Sequence, residues 1–398
     1  MHKALVINHL TDTDFYKFSM GQLLLHRFPN EETEWEFKIR TKGVKTAYLK
    51  DEVDYQLDHL CTLRFTQAEL DYLSTIPWFT KDYIDWLEDF QLKRKYIQVG
   101  VEGDNITIKA KGPALKVTWF EIYCLEIVQE LWMQDQPVDW ELGDKNLDYM
   151  ISEYNRLIDE GKTFTVADFD CRRRASFAWQ DHVIGRMVKE CKAFVGTSDV
   201  YFAMKYGIKP IGTFAHEMYA LAQGLKNVPI RQAQITVWDA WTKEYRGNLG
   251  IALSDNFGFK AFLEDFDLFY QKLFDGCRHD SGSPFKWGDL LIKMYEKSKI
   301  DPLTKTGCWS DSLDVKDVVD IVDYFTGRIK ISIGQGTKMM NNVGGIALNM
   351  VMKVIKTNGK DVVKLSDTPG KTMCHSEKYI DYAKEQFDYI PLDEWKVD

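Results

Sequence analysis

The sequence predicts an α/β protein organised as a (β/α) barrel of about seven strands, with the terminal parts of the chain packed directly upon it. Three observations lead there. From about residue 145 onward, short β-type runs alternate with helical stripes, which implies a parallel sheet. Seven such runs occur, and that many cycles favours a closed or nearly closed barrel over an open doubly wound sheet. The length of 398 residues suits one large and one smaller unit, and no Pro/Gly/Ser-rich linker marks a boundary.

In chain order, residues 51–90 hold ten Asp/Glu against two Lys/Arg, and Tyr83, Ile84, Leu87 and Phe90 fall at helical spacing. This reads as exposed helices laid over a core. Ile97, Val99 and Val101, then Glu102-Gly103-Asp104-Asn105, then Ile106, Ile108 and Ala110 alternate with period two around a turn. They predict a β-hairpin ended by Gly112-Pro113. Leu147, Met150, Ile151, Tyr154, Leu157 and Ile158 trace one helical stripe that Gly161 stops. The expected barrel strands follow at 164–167, 193–195, 208–211, 250–253, 268–274, 306–309 and 329–333. Between several of them lie stripes such as Trp287, Leu290, Leu291 and Met294, or Val315, Val318, Val319 and Val322.

Composition narrows the function. Hydrophobic residues make up 45%, charged 28% and aromatic 14%, the proportions of a globular chain with a sizeable core. A net charge of -9 argues against wrapping nucleic acid, which needs a basic face, so no nucleic-acid partner is expected. No apolar run reaches 18 residues, and the first residues carry neither a signal-peptide core nor a transit-peptide composition, so a cytoplasmic protein without a membrane partner is expected. Seven widely spread cysteines with no CxxC pair predict reduced, mostly buried thiols.

The unusual polar residues gather at the C-terminal ends of the strands. They form Asp168-Phe169-Asp170-Cys171-Arg172-Arg173-Arg174, Gly196-Thr197-Ser198, Gly212 to Glu217, Ser254-Asp255, Arg278 to Gly282, Ser310-Asp311 and Gly334-Gln335-Gly336-Thr337. In a barrel these loops converge on the face where active sites are built. Gly334 and Gly336 let a backbone approach a phosphate, although a Gly-x-Gly-Thr alone is more often only a turn. Arg172 to Arg174 either offer planar donors to carboxylate or phosphate or form a solvated helix start, with at least one expected to point outward. His2, His9, His26, His59, His182 and His375 have no partner motif. His216 follows a strand and a Gly-Thr turn beside Glu217, as a reactive group or as a satisfied structural histidine. Asp280 is placed to steer magnesium-bound diphosphate, to stabilise a cationic sugar, or to pair with an arginine.

These segments, together with Thr13-Asp14-Phe15-Tyr16-Lys17 and Leu365 to Lys371, resemble nicotinate phosphoribosyltransferases of the bacterial type, in the family's order and over nearly the whole chain. The resemblance implies that nicotinate and 5-phosphoribosyl diphosphate are joined into nicotinate mononucleotide and diphosphate, coupled to ATP hydrolysis, in NAD biosynthesis. It implies ATP as co-substrate, Mg2+ arriving with diphosphate and ATP, and a homodimer. Carried over residue by residue, His216 is the histidine that ATP phosphorylates, and Asp280 is expected to be catalytic beside it. Tyr16, reaching the pyridine ring from a neighbouring subunit, then joins Phe169, Thr213 and Arg278 around nicotinate. Arg172, Ser198, Ser310, Asp311, Gly334, Gly336 and Thr337 match the phosphoribosyl and phosphate contacts. The implied fold is an irregular barrel at 136–339 plus a smaller α/β domain at 1–135, completed by 340–398. Two positions depart from many relatives: Asp170 stands where they have Gly, and Gln335 lies between the phosphate-loop glycines.

The chemistry is sensible for such residues. Departure of diphosphate from the anomeric carbon develops oxocarbenium-like charge, so catalysis needs a phosphate clamp and a ring nitrogen held in line rather than a strong base. The alternatives are a nicotinamide phosphoribosyltransferase, a barrel glycosidase using two of Asp168, Asp170, Asp255 and Asp280, and a non-catalytic nucleotide-binding regulator.

Overall fold

The computed structural model describes residues 2–368 and 370–396; Pro369 of the 365–371 motif lies outside the described residues. Alternating apolar residues build one antiparallel sheet from both ends of the chain. Its strands are β1 (Glu32–Ile39), β2 (Ile97–Glu102), β3 (Asn105–Pro113), and, from far downstream, β11 (Met350–Thr357) and β12 (Lys360–Asp361), in the order β12-β11-β1-β3-β2. The hairpin β2–β3 is the one the period-two pattern predicts, with Val99 opposite Ile108. Between this sheet and the barrel runs the helix Phe120–Met133, buried along its whole length.

The second sheet has seven parallel strands: β4 (Phe164–Asp168), β5 (Phe194–Thr197), β6 (Lys209–Pro210), β7 (Ile251–Leu253), β8 (Gly276–His279), β9 (Thr306–Trp309) and β10 (Lys330–Gln335). Their order is β6-β5-β4-β10-β9-β8-β7, so the first and last strands of the barrel sequence meet in the middle and β6 and β7 form the edges. The ring is therefore nearly closed. Across the open seam the Thr213 hydroxyl donates to the carbonyl of Ile251 at 3.1 Å. Helices cover the outside, among them Trp140–Asp159, Pro284–Lys297 and Val315–Phe325, on the stripes read from the sequence. The first of these ends just before Gly161, whose φ of 84° suits a residue without a side chain.

One expected strand is wrong. Residues 268–274 form the helix Leu268–Leu273, and the strand lies beyond it at Gly276–His279. The Asp267 carboxylate accepts from the Phe269 and Tyr270 backbone N–H groups and starts that helix, and Leu268 and Phe269 remain exposed. A short aromatic run carries no period of its own, so the cap decided. All seven cysteines are free and five are buried, as the composition implied. Among the described residues no helix is long and apolar enough to cross a membrane.

Candidate active site

A cavity of about 1520 Å³ opens at the C-terminal ends of the strands, lined by six of the seven polar loops together with residues from outside the barrel; Ser254 and Asp255 of the remaining loop do not line it. Phe169, Arg172, Ser198, Thr213, His216 and Arg278 line it, as do Asp280, Ser310, Asp311, Gly336 and Thr337. The N-terminal segment arrives from far away in sequence. Phe15 N donates to Ser198 O at 2.6 Å and Val200 N to Thr13 O at 3.1 Å, while the Ser198 hydroxyl donates to Asp14. This pins Tyr16 beside Arg172 at the cavity of its own chain. Tyr16, distant from the barrel in sequence, is thus carried to it by backbone bonds to the end of β5.

His216 is the first residue of the helix His216–Gly224, where a developing anion is favoured by the helix N-terminus. Its Nε2 lies 2.7 Å from Asp255 Oδ1 and 3.7 Å from Asp280 Oδ2. Lys364, just after β12, lies 3.0 Å from Asp255 and 3.4 Å from Asp280. Burial and Lys364 push the imidazole down to about 4 against the pull of the two carboxylates, so it is neutral at pH 7. Against the cost of burial, Lys364 and His216 hold Asp255 well below the carboxylate range, and Arg278 and Lys364 do the same for Asp280. His279, the other histidine of these loops, turns away and meets the Gly282 carbonyl at 3.0 Å.

Arg278 donates through Nε to Ser310 at 2.9 Å and through Nη2 to Asp280 at 2.8 Å, leaving three of its five N–H groups for a ligand. Its guanidinium carbon stands 5.8 Å from the centroid of the Phe169 ring. A flat ring with an anionic substituent meets an aromatic wall and a planar cation here.

Two readings of the loops are corrected. None of the three consecutive arginines points outward: Arg172 and Arg173 face the cavity, whereas Arg174 is fully buried on Asp12 and Glu130. The acids that hold Arg174 are far off in sequence, which is why the triplet looked like a solvated start. Gly334 does not line the cavity, since a Cβ there would come within 2.2 Å of the Phe169 ring. It makes room for an aromatic side chain rather than for phosphate. Gln335 likewise points inward, accepting from the Tyr154 hydroxyl at 2.7 Å. Asp170 is buried with one oxygen 3.4 Å from Arg173 and 3.8 Å from Arg172.

Reasoning from sequence passed over several residues that the fold brings in. Asp14, Lys353, Lys364 and Lys371 all line the cavity, and Lys371 donates to Asp311 at 2.7 Å. Lys371 belongs to the 365–371 motif, so a signal was present for it; the isolated Lys353 and Lys364 carried none. The glycosidase alternative loses its acids. Asp168 is buried beneath Thr197 and Gln180, and Asp255 and Asp280 are held ionised by cations.

Residues 164–390 match the nicotinate phosphoribosyltransferase (NAPRTase) family, and residues 11–129 its N-terminal domain. The chain belongs to the nicotinate phosphoribosyltransferase family. Nicotinate phosphoribosyltransferases of Chromobacterium violaceum and Ralstonia pickettii are 44% and 43% identical to it, each over 96% of this chain and 97% and 99% of their own length. A crystal structure of nicotinate phosphoribosyltransferase from Vibrio cholerae superposes with a TM-score of 0.92 at 30% identity, covering 100% of this chain and 96% of that one. The fold is of the expected α/β class, a seven-strand parallel sheet with a separate antiparallel sheet.

Proposed function

We propose that the protein is an ATP-coupled enzyme of the ligase class that makes nicotinate mononucleotide and diphosphate from nicotinate and 5-phosphoribosyl diphosphate in NAD biosynthesis, in the cytoplasm. The observation that carries this reading is Arg278, whose free N–H groups sit against Phe169 at the cavity, within an ion-pair chain that ends on neutral His216. Nicotinate stacks between Phe169 and Tyr16, with its carboxylate on Arg278 and Thr213 at its edge. The amide of nicotinamide brings N–H donors to a site of donors, which disfavours it. Arg172, Ser310, Asp311, Gly336 and Thr337 hold the phosphoribosyl group and its diphosphate. As the anomeric C–O bond breaks, diphosphate leaves with the electron pair and the pyridine nitrogen forms the new C–N bond.

Magnesium enters as part of the substrates. His216, Asp255 and Asp280 place donor atoms within 4.8 Å of one another, and Asp280 is the oxygen ligand nearest the cavity, which fits an ion carried in on diphosphate. ATP phosphorylates His216. With its Nε2–H donating a hydrogen bond to Asp255, the Nδ1 lone pair attacks the γ-phosphorus and ADP departs; Asp255 holds the ring in that tautomer.

Incubation with radiolabelled nicotinate or nicotinamide, 5-phosphoribosyl diphosphate and magnesium, with and without ATP, tests the reading. Mononucleotide from nicotinate, stimulated by ATP, is expected; equal use of nicotinamide overturns the assignment. The dimer that the family resemblance implies is checked by light scattering, and an active monomer refutes it. Mixing Tyr16→Ala with His216→Asn then shows where Tyr16 acts: recovery of activity places it at the partner's site, and none is expected if it serves its own.

A further inference from the structure

A buried ionic cluster borders the cavity, with Tyr16, Glu217 and Lys353 on its wall and Lys17 and Glu121, which the transfer chemistry does not use, behind them. Lys17 has no exposed side-chain surface, yet its ammonium donates at 2.7 Å to Glu121 and at 2.7 Å to Glu217, and at 3.2 Å to the Thr118 hydroxyl. Glu217 also accepts from Thr118 at 3.0 Å, and Glu121 from Lys353 at 3.3 Å and from the Tyr16 hydroxyl at 3.5 Å. Four elements meet on this cluster. Lys17 follows Tyr16 on the helix Phe15–Arg27, and Glu121 sits on the buried helix Phe120–Met133. Glu217 follows His216 on its helix, and Lys353 is on β11.

Burying such a pair costs desolvation that an apolar core would avoid, so stability alone is a poor reason to keep it. Its geometry has another property. One ammonium is shared at equal distance between two carboxylates, one next to Tyr16 and the other next to His216, so a small change in field redistributes it. We propose that Lys17 is a positioning residue that couples phosphorylation of His216 to the grip of Tyr16 on the pyridine ring. This deepens the proposed function and rests on its assignments of His216 and Tyr16. New negative charge on His216 draws Lys17 toward neighbouring Glu217, and Lys353 takes over the charge of Glu121. Tyr16, adjacent to Lys17 and bonded to Glu121, then shifts with the helix that carries both.

Three variants test the coupling: Glu217→Gln, which keeps shape and removes one charge, Lys17→Met and Lys17→Arg. Each is assayed for acid-labile phosphate on His216 from labelled ATP, and for the nicotinate KM and kcat with and without ATP. Site-to-site couplings span about 5- to 150-fold, and an ATP effect on nicotinate KM of that order is expected in the unsubstituted protein. In Glu217→Gln phosphohistidine still forms, while the ATP effect on KM falls toward unity. Lys17→Met does the same and Lys17→Arg restores part of the effect. Should Lys17→Met fail to fold, Glu217→Gln and Lys17→Arg decide. An undiminished ATP effect on KM in Glu217→Gln overturns the proposal, as does a Lys17→Met that lowers kcat equally with and without ATP. Absence of labelled phosphohistidine in the unsubstituted protein strikes the reading of His216 itself, and the coupling with it.

Discussion

Two buried charge clusters flank the end of the barrel, and they do opposite work. Around Arg174, the guanidinium donates to Glu130 at 2.6 Å, to Asp12 through both terminal nitrogens and to Gln180 at 3.0 Å, and it lies over the Phe177 ring at 5.2 Å. Nearby Glu126 has both carboxylate oxygens buried without a partner, and burial pushes its pKa well up, so it keeps its proton. Around His216, by contrast, His216, Asp280, Arg278 and Lys364 face a cavity with Asp255 buried beneath them, and Lys364 and Arg278 keep the acids ionised. In the first cluster every hydrogen-bonding nitrogen of the cation is engaged; in the second, donors and a lone pair are left over. Unsaturated valence beside a cavity, rather than charge density, marks the site that does chemistry.

The largest effect expected from this contrast is at His216. His216→Asn should abolish ATP hydrolysis and leave slow, ATP-independent transfer, read as labelled mononucleotide; full ATP stimulation in that variant would sink the assignment. The pH dependence sharpens it. An ordinary histidine is half protonated near pH 6.5, but burial and Lys364 hold this one down to about 4. The neutral ring is the nucleophile, so the rate of phosphohistidine formation should stay flat from pH 8 to about 5 and fall only below. A half-loss near 6.5 would show that the pocket does not protect the ring.

Next comes Arg174. Removing one partner of a buried ion pair costs about 3–5 kcal/mol, and Arg174→Met leaves Asp12 and Glu130 with no cation in contact. A drop of that size in denaturant-derived stability is expected. Arg173→Met, next door, gives up a longer contact with Asp170 at a partly exposed position and should cost less than about 1 kcal/mol. Equal losses would mean that the two arginines share one environment and that the division between clusters is false.

Much of this division was invisible in the sequence. Alternation of strand and helix, and polar loops after the strands, are local signals, and they placed the barrel and most of the cavity wall correctly. The pairing of Arg174 with Asp12, the approach of Lys364 to Asp255 and the docking of Tyr16 depend on contacts across more than a hundred residues. No spacing encodes them. The helix Phe120–Met133 escaped for the opposite reason: it is buried on every side, polar residues included, so no amphipathic stripe betrays it.

A smaller effect separates carboxylate recognition from phosphate binding in the second cluster. Arg278→Lys keeps the charge but loses the planar fork. A charged hydrogen bond is worth about 1.5–3 kcal/mol, so kcat/KM for nicotinate should fall about 10- to 150-fold. The low rate with nicotinamide should change little. An equal loss for both substrates would assign Arg278 to the phosphoribosyl group.

The smallest effect is expected at Gly334, where two readings of one glycine part company. If the glycine admitted a phosphate, an added methyl group would weaken 5-phosphoribosyl diphosphate. Its missing Cβ instead faces the Phe169 ring at 2.2 Å, closer than any contact can be, so Gly334→Ala must push that ring aside. Phe169 borders open cavity and can yield, which places the cost at the low end of overpacking, about 1 kcal/mol. The nicotinate KM should therefore rise roughly fivefold, while the KM for 5-phosphoribosyl diphosphate stays within error, because Gly336 and Thr337 remain at the cavity. The reverse pattern would return Gly334 to the phosphate loop and leave the aromatic wall supported from elsewhere.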